Sequence, residues 1–167
     1  MQDRYLKLGR YLPDGSLPII ASWLEAAPIS IKVSKPRQSK LGDYSPATSS
    51  DPVHRISVNN DLNHYAFLVT LVHEFAHFTA YYRSNWKISP HGREWQYEYG
   101  RLMSPFLDRR IFPEDVHVAL EYHLRRPPAS SCSDPVLIKV LRAYDENKNS
   151  LFVEELPLGA IFRLGKK

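Results

Sequence analysis

Read for apolar positions alone, the first seventy residues change period twice. Ile20, Trp23 and Leu24 share one helical face, introduced by Ser16-Leu17-Pro18 and ended by Pro28. Residues 29–34 then alternate Ile29, Ile31 and Val33 with Ser30, Lys32 and Ser34, the period of a half-buried strand. "KLGDYSP" offers a Gly-Asp turn, and "HRISVNN" supplies a second short strand. Residues 59–61 end that strand and can cap a helix beginning near Leu62.

From 62 to 83 the period is helical. At 100° per residue, Leu68, Leu71, Phe75, Phe78 and Tyr82 fall on one side. Ala66, Thr70, His73, His77 and Ala80 fall on the other. The large side chains predict a core contact, while small neighbours leave room above the two imidazoles. Trp95, Tyr99, Leu102 and Phe106 predict a second helix over about 92–107. "FPEDVHVALEYHL" and "SDPVLIKVLRAYDE" read as two more, each with Pro near its start. The tail "LFVEELPLGAIFRLGKK" has strand-like pieces. The pattern predicts one domain over 1–167, helix-rich α+β, with a small antiparallel β-sheet preceding the histidine helix.

The chemistry sits in "TLVHEFAHFT". With seven His and nine Glu in 167 residues, H-E-x-x-H arises by accident in roughly one or two such chains per hundred. Histidines at i and i+4 lie about 40° apart around a helix and ~6 Å along it, so both can reach one ion at the ~2.0–2.1 Å typical of zinc. Glu74, about 100° round from His73, flanks that ion and can move a proton to and from a water.

Catalytic zinc usually takes three protein ligands and keeps a fourth position open. His91 is the first choice, because the Pro90-His91-Gly92 turn at a helix mouth can swing its ring towards His73 and His77. Glu94 and Glu98 compete as i, i+4 partners on the second helix. Their expected roles are a hydrogen bond to a ligand for Glu94 and surface charge for Glu98. His54, His64, His117 and His123 are expected to be structural or solvated.

"HEFAH" followed by "HGREW" resembles the SprT-like family of zinc metalloproteases, which includes bacterial SprT proteins and the eukaryotic DNA–protein crosslink protease Spartan. That family pairs H-E-x-x-H with a third histidine in an H-G-x-x-aromatic motif; here thirteen residues separate His77 from His91, and Trp95 takes the aromatic place. "KLGDY" is similar to the family's segment between its short strands. The resemblance covers about residues 29–107, leaving 108–167 as a helical and strand extension. It implies a zincin-like metalloprotease fold, zinc on His73, His77 and His91, Glu74 as catalytic base, and a protein or peptide substrate. Many members also carry a C-terminal zinc ribbon with paired cysteines. Cys132 is the only cysteine here and reads as a small packing residue.

Composition narrows the rest. No disulfide can form within the chain, and no apolar run approaches the ~20 residues that cross a bilayer. The first residues lack the apolar centre of a signal peptide, so a cytoplasmic protein without a membrane partner is expected. Net charge is +4, with Lys32, Lys35, Arg37, Lys40 and Arg55 gathered against Asp43 and Asp51. Weak, non-specific DNA binding through Lys32, Lys35, Arg37 and Lys40 is the alternative this patch offers. A non-catalytic domain stapled by zinc is a further alternative. Glu74 speaks against it, since a structural site needs no base beside its metal.

Overall fold

The computed structural model describes residues 3–84, 89–125, 127–128 and 134–146. In chain order these form α1 (Asp3–Gly9), α2 (Leu17–Ala26), β1 (Ile29–Ser34), β2 (Gly42–Ser45), β3 (His54–Asn59), α3 (His64–Arg83), α4 (Arg93–Asp108), α5 (Glu114–Arg125) and α6 (Pro135–Arg142). The architecture is mixed α+β and helix-rich, with one three-stranded sheet. No helix among the described residues is long and apolar enough to cross a membrane.

Helix α3 organises the packing, meeting α4, β2, β3 and α6. Leu68, Leu71, Phe75 and Phe78 are buried as their spacing predicts, but Phe67, Val69, Val72 and Ala76 are buried too. A helix enclosed on nearly all sides shows a weak amphipathic stripe, so reading one core face understated its burial. Tyr82, expected in that core, is 58% exposed and lies against Phe78 of its own helix, while Arg83 beside it is the residue that reaches α4, through Glu98. The cap is Asn63, not residues 59–61. Its Oδ1 accepts from the Tyr65 and Ala66 amides, while its Nδ2 donates to the Leu141 carbonyl and Asp145 Oδ1. One side chain thus starts α3 and ties it to the end of α6.

The sheet corrects the sequence reading in two places. Its order is β1-β3-β2, with β1 parallel and β2 antiparallel to β3, so it is mixed and not antiparallel. Alternation fixes which face of a strand is buried but not the direction of its neighbour. "KLGDYSP" is not a turn between strands but holds β2 itself. Asn59 holds the preceding connection: its Nδ2 donates to the carbonyls of Arg37 and Lys40, and Arg37 Nε donates to its Oδ1 at 2.8 Å.

Helix α1 was not anticipated, although Tyr5, Leu8 and Leu12 are all buried at helical spacing. In α2, Trp23 packs on Phe75 of α3 and Phe106 of α4. Trp95, Tyr99, Leu102 and Phe106 are buried along α4 as predicted, and α5 and α6 lie where their Pro-started patterns place them. Cys132 and the tail from 147 onward fall outside the described residues.

Glu98 is not surface charge. It is 3% exposed, and its carboxylate accepts from Arg83 at 2.9 Å and from Arg101 at 2.6 Å. Burial alone would raise its pKa; the Arg101 and Arg83 contacts outweigh that and hold it below the usual range. A carboxyl with a lowered folded-state pKa stabilises the protein at neutral pH, and that contribution disappears as pH falls through the folded value. Glu98→Gln should therefore cost about 1–2 kcal/mol at pH 7, since both arginines keep partial access to water. Urea unfolding checks this: the gap between wild type and variant should close as pH falls from ~5 towards ~3. A constant gap would show that packing, not charge, sets the loss.

Candidate metal centre

His73 and His77 project from adjacent turns of α3, and His91 reaches them from the turn before α4. The ligand nitrogens of the three all lie within 4.8 Å of one another, and they could hold a metal ion. His73 Nε2 and His91 Nε2 stand 3.2 Å apart. Two nitrogens at ~2.0–2.1 Å on a tetrahedral ion stand about 3.3 Å apart. The donor spacing therefore fits such an ion without rearrangement of that pair.

The third histidine depends on an uncommon backbone. His91 has φ 58°, in the left-handed region where residues with a Cβ are rare. That conformation folds the ring back over α3, as the Pro-His-Gly turn predicts. Its carbonyl accepts from Gln96 Nε2, and the Gly92 amide donates to the Ser89 carbonyl, which closes the turn onto α4. Trp95, fully buried, lies against all three imidazoles, and its indole Nε1–H donates to the His73 carbonyl at 3.4 Å.

Burial, helped by the neighbouring imidazoles, lowers His73 to about 3 and His77 to about 4; burial also lowers His91. Neutral imidazoles have free lone pairs, the form that binds metal. Glu74 is 8% exposed, and burial, reinforced by Asp43, raises it to about 8. A nearby cation would pull that value down again. Gly42 of β2 lies directly over this carboxyl: a Cβ there would sit 2.7 Å from Glu74 Oε1 and 2.7 Å from Thr70 Cγ2. Sequence reading missed this contact, though a glycine inside a strand is the usual mark of close approach.

The other candidates lie elsewhere. Glu94 is exposed on the first turn of α4 and makes no hydrogen bond to the histidines among the described residues, so the role expected of it is not seen. Glu98 is committed to its arginines. His64 is exposed, His54 meets the Tyr44 hydroxyl at 2.8 Å, His117 faces Glu121, and His123 pairs with Asp134. In the basic segment Arg37 is bound to Asn59 and Ser57, Lys40 pairs with Asp43, and Arg55 pairs with Asp51. Lys32 and Lys35 are exposed.

Comparison with family models, curated proteins and solved structures finds no match to this chain. The centre therefore rests on its own geometry, and His91 is the residue to vary. His91→Gly should remove a ligand and relieve the left-handed strain together. Metal affinity should drop at least ~10-fold, while the metal-free protein should hold or gain about 1 kcal/mol. Metal titration beside thermal unfolding reads both. Full metal retention would move the third ligand to another residue.

Proposed function

We propose that this chain is a zinc-dependent peptidase of SprT-like type, with a zincin-like fold, that hydrolyses peptide bonds in protein substrates. The observation that carries the reading is the convergence of His73, His77 and His91 beside the buried carboxyl of Glu74. Three neutral imidazoles suit zinc among the common divalent ions. Bound there, zinc would supply Lewis acidity that polarises a carbonyl and acidifies a water. Glu74 then acts as general base and general acid: its carboxylate takes a proton from water and returns it to the departing amine. Burial under Gly42 keeps that carboxyl out of bulk water.

Two further features favour a peptide as substrate. Strand β2 is an outer strand of the sheet and runs along α3, with Gly42 over Glu74 and the Tyr44 ring parallel to His77. An extended chain can pair with such an edge through its own backbone, whatever its side chains. One helical turn before Glu74, a cavity of about 310 Å³ is lined by apolar side chains such as Leu41, Val69 and Leu141 together with charged Asp61, Arg142 and Asp145. That mixed lining suits a side chain with an apolar stem and a polar end. Arg37 and Lys40 carry intramolecular partners while Lys32 and Lys35 are exposed, so the reading is protein-directed first, with weak DNA binding left to those two lysines.

Glu74→Gln tests the chemistry. The amide cannot take a proton from water, so zinc content and fold should persist while cleavage of an unfolded protein falls ~10² to 10⁴-fold. An unchanged rate at equal zinc loading would remove Glu74 from the mechanism.

A further inference from the structure

Around His73, polar side-chain atoms of α3, α4 and α5 are buried without partners. Among the described residues these are His73 Nδ1, Tyr99 Oη, His123 Nε2 and, apart from them, His117 Nδ1. The first three belong to neighbouring rings. Tyr99 has its centroid 5.7 Å from that of His73 and 5.9 Å from that of His123. Tyr99 is 0% exposed, His123 2% and His73 6%. Buried polar groups are rarely left unpaired, and three in a row call for one explanation.

Their donor and acceptor roles follow from the two ends. His73 turns Nε2 towards His91, so when that nitrogen holds a metal the proton must sit on Nδ1, which becomes a donor. At the far end His123 Nδ1 stands 2.8 Å from Asp134 Oδ2, and a carboxylate only accepts. His123 therefore carries its proton on Nδ1 and offers Nε2 as an acceptor. Tyr99 lies between a donor and an acceptor, and a phenol hydroxyl serves both. Hydrogen bonds spanning these groups would all run one way, from His73 N–H through the Tyr99 hydroxyl and His123 to Asp134, and the last of them is the contact seen directly. Asp134 is itself fixed, because its Oδ1 accepts from the Val136 and Leu137 amides as the cap of α6.

We propose that Tyr99, His123 and Asp134 form a hydrogen-bonded relay that positions the His73 ring for its metal, with a buried water at each gap too long for direct contact. The proposal rests on the metal reading above. Tyr99 and His123 are positioning residues in it, acting on the metal only through His73. The relay also gives the α5–α6 region a task at a centre built from α3 and α4.

The test is zinc affinity, measured by competition with a chromophoric chelator on the full chain, beside thermal unfolding of the metal-free protein. Tyr99→Phe keeps the buried ring and deletes only the hydroxyl. It should weaken zinc ~10- to 100-fold, while the metal-free protein, which keeps the buried ring, should melt within a few degrees of wild type. Asp134→Asn can still cap α6 but can present a donor to His123, which reverses the chain, and it should weaken zinc in the same range. Cobalt bound in place of zinc should show shifted visible bands in both variants. Wild-type zinc affinity in Tyr99→Phe would overturn the relay while leaving the metal reading intact. A fall of more than ~10 °C in the melting temperature of metal-free Tyr99→Phe would also overturn it, by making the hydroxyl a structural group whose loss weakens zinc only through the fold. No zinc uptake by the wild-type chain would overturn the metal reading and the relay with it.

Discussion

The indole of Trp95 packs against all three site histidines, with ring centroids 4.7 Å from His73, 5.5 Å from His77 and 4.7 Å from His91. Helical spacing alone sets the first two rings side by side. The third depends on how α4 docks, because His91 stands just outside that helix. Trp95 is the residue that docks it. Burying such a ring removes about 150–250 Å² from water, worth up to roughly 4–6 kcal/mol at ~25 cal/mol/Å². A residue held at positive φ costs about 1–3 kcal/mol. The packing of α4 on α3 therefore exceeds the strain at His91, and the strained turn persists as part of the site.

Burial at the same place sets the charges. It works against imidazolium and carboxylate alike, which is why His73 lies near 3 while Glu74 lies near 8. Without a metal the pocket is close to neutral at physiological pH. A divalent cation bound there would find lone pairs ready and would favour the ionised form of Glu74. Gly42 matters here because a larger residue would push into that carboxyl. A missing Cβ on the strand and a missing charge on the helix are parts of one arrangement.

The motif residues were legible because local spacing determines them. His73, His77 and Glu74 need only a helix; for His91 the Pro and Gly neighbours announce the turn, while the docking of α4 supplies its place. The α4 stripe was legible for the same reason. What escaped depends on partners distant in sequence. No local signal says that β1 runs parallel to β3, that Gly42 lies on Glu74, or that Glu98 is enclosed between Arg83 and Arg101. Asn63 and Asn59 show the limit well. Asn59 reads as a candidate cap and Asn63 does not, yet Asn63 caps α3 while Asn59 holds the 37–40 connection. His123 read as structural, which its position 2.8 Å from Asp134 supports; its ring contact with Tyr99 had no signature along the chain.

The two sides of α3 and α4 divide the work accordingly. Segments before α3 in sequence lie over the face that would meet substrate, with β2 above Glu74 and His77. Segments after α4 lie behind the same residues, where α6 is tied to the start of α3 through Asn63 and α5 contributes the ring of His123 behind Tyr99. A site whose ligands come from two helices is only as rigid as the contact between those helices. Leaving one face open to an extended chain requires that the closed face carry the support. The resemblance in the motif pair ends near residue 107, yet the polar groups that close this back face lie beyond it, at His123 and Asp134. Trp95 of the motif packs on His73 directly, and the relay we propose would add support to that ring from His123 and Asp134, side chains the motif does not contain.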